Sequence, residues 1–440
     1  MKHKSVFVCQ QCGYESPQWY GKCPSCGEWN SLVEFSKEQR KQEVENKRQG
    51  RESVKPQHLS QVQHIETNRL KSTMDEFDRV MGGGIVPGSV TLLAGDPGIG
   101  KSTLLLAILS KIGGVYVAGE ESAEQVKLRA ARLGISGDNI IIYPETSVER
   151  IVEMLKDETG KSTGGKQPLV IVDSIQTLSS DILEGMAGSV GQIRYCAEQL
   201  VTMAKSKGIP LIIIGHVTKE GSIAGPKILE HMVDTVLFFE GERFASARIL
   251  RTLKNRFGAI EEVGIFDMRE EGLTEVKNPS ELFLTDRVTD VPGSVVTVIL
   301  EGTRPLLVEI QALTVSTQLA IPRRVANGFD PNRLQLLTAI LQKRLNLPLG
   351  GVDIFVNVSG GIRVSEPAGD LAICLAILSS FVNKSIDSKT VVFGEVGLLG
   401  EVRNISQGDR RQKEALRLGY TKAIAPNTIK SLRQVKEFLQ

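Results

Sequence analysis

Two groups of residues have the types and spacing that chemistry requires. Gly95-Asp96-Pro97-Gly98-Ile99-Gly100-Lys101-Ser102-Thr103 fits G-x-x-x-x-G-K-[ST], directly after the apolar run Val90 to Ala94 and directly before Leu104 to Ile108. In that strand-loop-helix context the glycines let backbone N–H groups curl around phosphates. Lys101 neutralises the β/γ charge, Ser102 can ligate Mg²⁺, and the helix points its positive end at the anion. All nine residues therefore form the predicted nucleotide-phosphate site; the alternative is a Gly-rich strand-helix turn. The second group is Cys9-x2-Cys12 and Cys23-x2-Cys26, each pair followed by a glycine. It predicts a four-thiolate Zn²⁺ site whose metal supplies folding energy, on the order of 10 kcal/mol, to a segment too short to close a core. A disulfide pair or redox C-x-x-C is the competing reading, disfavoured in a cytosolic chain that keeps thiols reduced. Trp19, Tyr20 and Trp29 flank the metal, either covering it or stacking on a base or partner.

Further residues extend the phosphate site. Pro168 to Ser174 reads as a strand ending in Asp173, the carboxylate that holds a Mg²⁺ ion's water shell. Glu120 or Glu121, at the end of the strand-like Val115 to Gly119, is placed to orient an attacking water, with Glu120 preferred; capping the helix that starts at Ser122 is the alternative role. His216, after the apolar Leu211 to Gly215, is either a γ-phosphate sensor or a structural hydrogen-bonder. Lys254-Asn255-Arg256-Phe257-Gly258 puts two cations at a glycine turn. Lys101 already serves the chain's own loop, so Lys254 and Arg256 are read either as trans-acting groups for a neighbouring subunit's nucleotide or as a solvated basic turn.

These residues need a scaffold, and the chain has the means to build one. With 440 residues and 41% hydrophobic content it can bury a large core spread over several domains. The formal charge of +2, from 53 basic and 51 acidic residues, means any nucleic-acid surface must be local. The start has no secretory pattern and no run approaches a membrane span, so the expectation is a cytoplasmic protein with no membrane partner. Residues 1–35 read as a zinc finger and 36–60 as a charged, flexible linker. Residues 61–279 alternate apolar strands with amphipathic stretches, which predicts an α/β fold with a mainly parallel sheet and helices on both faces. Residues 280–440 read as a separate α+β domain, the joint marked by Asn278, Pro279 and Ser280. Cys196 and Cys374, alone in apolar helical patterns, are expected in the core. The loops at Ser179–Gly191 and Lys219–Pro226, the latter beside Lys227, are candidates for contact with a polymer.

The four-cysteine knuckle, the Gly95–Thr103 loop, Pro168–Ser174, the Lys254–Gly258 pentapeptide and the Gly360–Asp370 stretch, taken in order, resemble the RadA (Sms) family of bacterial DNA repair proteins over essentially the whole chain. The pentapeptide is the most specific element of that match. The resemblance implies a RecA-like, hexameric, DNA-dependent ATPase that uses ATP and Mg²⁺, translocates on single-stranded DNA as a helicase and extends branched recombination intermediates by branch migration beside a RecA-type recombinase. It also implies trans roles for Lys254 and Arg256. The final domain is similar to the proteolytic domain of Lon proteases, whose Ser nucleophile and activating Lys would fall at Ala368 and Arg411. Alanine offers no nucleophile and arginine no base near neutrality, so a non-proteolytic scaffold is expected, with Arg304, Arg323, Arg324, Arg333, Lys343 and Arg344 as candidate phosphate contacts. The competing readings are an ATP-dependent protease and an ATP-dependent ring that recruits repair proteins without motor activity.

Overall fold

A computed structural model describes residues 5–9, 14–25, 27, 29, 31–36, 58, 69–159, 167–216, 228–241, 246–285 and 287–439. Cys12, Cys26, nearly all of the 36–60 linker and the 219–227 segment with Lys219 and Lys227 lie outside the described residues. Contacts divide the chain into two compact units: Met1–Glu240 with Arg251–Ile260 and Glu270–Leu273, and Gly241–Leu250 with Glu261–Arg269 and Thr274–Gln440.

The first unit opens with a small antiparallel sheet of β1 (Ser5–Cys9), β2 (Glu15–Ser16) and β3 (Leu32–Ser36). After α1 (Asp75–Val80) come β4 (Val90–Gly95), α2 (Lys101–Ile112), β5 (Gly114–Ala118), α3 (Ala123–Arg132), β6 (Ile140–Tyr143), α4 (Val148–Thr159), β7 (Leu169–Asp173), α5 (Val190–Lys207), β8 (Leu211–His216), α6 (Ile228–Met232) and β9 (Thr235–Glu240). The six strands β4 to β9 pair in parallel in the order β9-β4-β8-β7-β5-β6. That is the α/β architecture the alternation predicts. Side chains of a strand alternate faces, and both faces here are buried. Val90, Leu92, Val115, Val117, Val170, Val172, Leu211 and Ile213 join a core with Ile151, Leu155, Ile193, Cys196 and Leu200 of α4 and α5. The alternate positions Leu93, Tyr116, Ile171, Asp173 and Ile212 are buried on the opposite face.

β10 (Ala247–Asn255), β11 (Val263–Arg269) and β12 (Gly272–Glu275) follow. The contact boundary runs through them, not at the 278–280 joint, because residues 241–250 and 261–269 pack with the second unit. Ala247, Ile249, Val263 and Ile265 sit in that unit's core. β11 and β12 were not anticipated from the sequence.

The rest of the second unit contains α7 (Pro279–Leu284), β13 (Ser294–Glu301), β14 (Arg304–Ser316), β15 (Arg324–Asn327), α8 (Pro331–Arg344), β16 (Val352–Val358), α9 (Asp370–Val382), β17 (Thr390–Val392), β18 (Glu395–Val396), β19 (Val402–Arg403), α10 (Gly408–Arg417) and β20 (Lys422–Ile424). Its main sheet runs β15-β16-β14-β13-β17-β20, with the antiparallel β13–β14 hairpin at its centre. α9 has ten consecutive buried residues, Asp370 to Ser379, and fills the core. Cys196 and Cys374 are both fully buried. Desolvation holds the Cys374 thiol above its ordinary value and pushes that of Cys196 up to about 12, so both behave as small apolar side chains.

Candidate nucleotide site and metal-binding segment

Parallel pairing brings the carboxyl ends of β4, β5, β7 and β8 to one edge, the edge where such sheets bind ligands. Gly95 is level with His216, and Ala118 with Asp173. The phosphate loop starts at that edge. A Cβ on Gly95 would lie 2.3 Å from the Phe239 carbonyl oxygen, so only glycine can end this strand. Gly98 and Gly100 have φ of 78° and 112°, and these left-handed residues turn the loop into the first turn of α2.

Lys101 is buried and its ammonium donates to the carbonyls of Gly95 at 2.8 Å and Asp96 at 2.9 Å, and to Nδ1 of His216 at 3.2 Å. Burial lowers its pKa, opposed by the charges of Asp173, Glu120 and Asp96. An ammonium can only donate, so His216 Nδ1 accepts and Nε2 carries the hydrogen. That nitrogen donates to Glu120 Oε1 at 3.0 Å, and Ser174 Oγ donates to the same oxygen. These bonds, led by that of His216, hold the Glu120 carboxyl at about 2. Glu120 is thus an ionised hydrogen-bond acceptor at the edge.

Glu121 pairs instead with Arg129. Neither glutamate caps α3, whose N-terminus is closed by Ser122 and Gln125 in a reciprocal capping box. Asp173 is buried and accepts a hydrogen bond from the phenol of Tyr116 on the same sheet face. Ser102 and Asp173 offer a hydroxyl and a carboxylate, the oxygen donors a hard divalent cation takes, and the glycine loop offers a cradle to phosphates. The residues fit a nucleotide with its metal. Loaded, such a metal would neutralise phosphate charge, while Lys101 and the loop amides would meet the phosphates and Glu120 would accept from a water.

Sequence reasoning missed three members of this cluster's wiring: Tyr116, Ser174 and the contact between Lys101 and His216. A tyrosine inside an apolar strand and a serine right after Asp173 were visible signals. The lysine–histidine contact spans 115 positions and had none.

The pentapeptide lies at the other end of β4. Arg256 N bonds Asp234 O at 3.1 Å, and Asp234 N bonds Val90 O at 2.9 Å, which places the turn beside the first residue of that strand. Five strand steps of about 3.3 Å separate it from Gly95, roughly 16 Å. Lys254 donates to the carbonyls of Glu230 and Val233 at 2.5 and 2.7 Å. Arg256 pairs with Asp234 at 3.1 Å with its side chain 52% exposed. Gly258 packs against Gly82, where a Cβ would approach Gly82 Cα to 3.0 Å.

The loop at 179–191 contains no lysine or arginine. Buried Gln192 ties it down through bonds to Ser180, Leu183 and Gly185, leaving Ile182 and Met186 exposed. Contact with a polymer there would be apolar.

At the amino terminus Cys9 and Cys23 are buried in one cluster with Leu32. The Gly27 amide, at φ 77°, bonds the Cys23 carbonyl at 2.9 Å, and Cys9 N bonds Tyr14 O at 2.8 Å. Two thiols thus converge from the two C-x-x-C pairs, a donor chemistry that fits a thiophilic metal. Trp19 donates to Leu32 O at 3.1 Å, while its ring and that of Trp29 are exposed.

In the second unit Ala368 is buried and Arg411 is fully buried. Arg411 spends its donors on both oxygens of Glu366 at 2.6 Å, Val298 O at 2.6 Å and Ser406 O at 3.1 Å. Three of the candidate phosphate contacts are likewise committed. Arg324 donates to the Arg323, Val352 and Leu349 carbonyls, Arg333 pairs with Asp370, and Arg344 donates to Leu398 O. All three are partly buried and hold these partners within the unit. Arg323 and Lys343 are exposed.

Comparison with known proteins finds an ATPase and a metal-binding segment over these stretches of the chain. A family model described as KaiC ATPase matches residues 70–274, and one described as rubredoxin metal binding domain matches residues 7–34. The DNA repair protein RadA of Bacillus subtilis (strain 168) is 50% identical over 435 residues, covering 97% of this chain and 93% of that protein. The chain belongs to the RadA family of DNA repair proteins. The RadA of Aquifex aeolicus (strain VF5) is 46% identical over 432 residues, again covering 97% of this chain. A RadA family member thus carries a RecA-like nucleotide-binding ATPase core behind an amino-terminal metal-binding ribbon. Among the described residues no helix is long and apolar enough to cross a membrane.

Proposed function

We propose that the protein is a DNA-dependent ATPase that translocates on single-stranded DNA as a hexameric ring and drives branch migration of recombination intermediates beside a RecA-type recombinase. ATP and Mg²⁺ occupy the Gly95–Thr103 loop with Ser102 and Asp173, Glu120 activates water, and Zn²⁺ is held by Cys9, Cys12, Cys23 and Cys26. Residues 1–35 act as the zinc finger, 36–60 as linker, 61–279 as the ATPase and 280–440 as a Lon-like platform without proteolytic activity, given Ala368 and the engaged Arg411.

The observation that carries the reading is the separation of Lys254 and Arg256 from Lys101 along β4. Cations about 16 Å from their own phosphate loop cannot serve it. In a head-to-tail ring the amino edge of one protomer's sheet can face the carboxyl edge of the next, which gives this basic turn a neighbouring nucleotide to serve. Exposed Ile182 and Met186 supply apolar contacts for unstacked bases.

The test is strand displacement and ATP turnover on forked DNA, wild type beside Lys101→Ala. Single strands should stimulate turnover, displacement should vanish in the variant, and binding should weaken steeply with salt. Turnover indifferent to DNA, with no displacement by wild type, would refute the motor.

A further inference from the structure

Tyr116 is buried in the middle of the ATPase sheet, yet it carries a polar tip that packing does not need. Its phenol donates to Asp173 Oδ2. We propose that Tyr116 is a positioning residue of the metal site, holding Asp173 so that its other carboxylate oxygen is free for the cation that accompanies the nucleotide. The inference rests on the nucleotide-site reading above and adds to it a residue outside the phosphate loop and the acidic strand end.

The phenol has one hydrogen and gives it to Asp173, which ties down one carboxylate oxygen and leaves the other for a cation. Register makes this possible: Ala118 is level with Asp173 on the adjacent strand, so Tyr116, two residues earlier on the same face, reaches the carboxylate diagonally. Phenylalanine would fill the space without that bond.

Outer partners that orient metal ligands typically govern 10- to 100-fold in metal affinity. The experiment titrates the intact protein with a fluorescent ATP analogue, in excess EDTA and across a Mg²⁺ series, for wild type, Tyr116→Phe, Asp173→Asn and the double variant. Tyr116→Phe should leave metal-free nucleotide affinity within about 2-fold and raise the Mg²⁺ midpoint about 10-fold. In the Asp173→Asn background the tyrosine change should add little, because its partner is already gone. An unchanged Mg²⁺ midpoint, or equal losses with and without Asp173, would overturn the proposal and leave Tyr116 as packing. If Tyr116→Phe does not fold, Tyr116→Met takes its place under the same criteria. Wild type that binds no nucleotide, or binds it without regard to Mg²⁺, would instead sink the nucleotide-site reading itself.

Discussion

Replacing Arg411 with alanine should destabilise the second unit without touching any chemistry. The guanidinium has no solvent exposure, and it makes two bonds to Glu366, whose side chain is 24% exposed, plus bonds to the carbonyls of Val298 and Ser406. Truncation leaves a carboxylate and two carbonyls without their donor. Breaking a buried pair by removing one partner costs about 3–5 kcal/mol, and the partial exposure of Glu366 favours the lower end, about 3. For a unit of this size each kcal/mol moves the melting temperature by roughly 2–4 °C, so the expected loss is about 6–12 °C. Differential scanning calorimetry is the right assay, because both tryptophans, Trp19 and Trp29, lie in the amino-terminal segment and their emission does not report this unit. Replacing both members, Arg411→Met with Glu366→Leu, should recover much of the loss, since no charge is then left unpaired. A shift under about 2 °C for Arg411→Ala would refute the reasoning and reopen a functional role for this side chain.

Glu120→Gln should cut ATP turnover by at least about 100-fold while nucleotide binding persists, read by steady-state hydrolysis beside analogue titration. Because the Glu120 carboxyl is held at about 2, below its ordinary 4.5, the stabilisation from its bonds is present above about 4.5 and is lost as pH falls toward 2. The melting-temperature difference between wild type and Glu120→Gln should therefore be larger at pH 6 than at pH 3; a difference that grows on acidification contradicts the assignment. In mixtures of Lys101→Ala with Arg256→Ala protein, turnover should exceed the sum of the two alone, since some interfaces then pair an intact loop with an intact cation. Removing Zn²⁺ with a zinc-selective chelator, with Mg²⁺ kept in excess, should shift tryptophan emission while leaving nucleotide affinity unchanged, as the fluorophores sit on the cysteine-bearing segment alone.

The parallel core was legible because each strand is a short apolar run bounded by glycine or a polar residue; Ile140–Tyr143, Leu169–Asp173 and Thr235–Glu240 fall where their patterns end. β15 was not, since Arg324–Asn327 is four residues long and exists through non-local parallel pairing with β16. The loop, Glu120 and Asp173 could be named from spacing because their roles are tied to strand ends. What Arg324, Arg333 and Arg344 bind could not be, because a sequence counts cations without showing the carbonyls and carboxylates that surround them. The two-unit boundary was hidden for a related reason: β10 and β11 look like a continuation of the alternating pattern, while their partners Val295, Leu306 and Val308 in the second core are encoded far downstream.

The same accounting separates the two cations of the pentapeptide, which the sequence treats alike. Lys254 is half-buried and its ammonium closes the end of α6 on the Glu230 and Val233 carbonyls. Burial, then the Arg256 charge, lower its pKa. Swinging it toward a neighbour's phosphate would strip two carbonyls of their donor. Among the described residues Arg256 has a single side-chain tether, Asp234, and that carboxylate keeps Lys205 at 3.0 Å and the Val90 amide at 3.1 Å when Arg256 leaves. Departure of Arg256 thus orphans nothing buried, and its planar fork suits a phosphate. Under the ring reading Arg256 is the group that reaches across to the adjoining nucleotide, and Lys254 holds the turn from which it reaches.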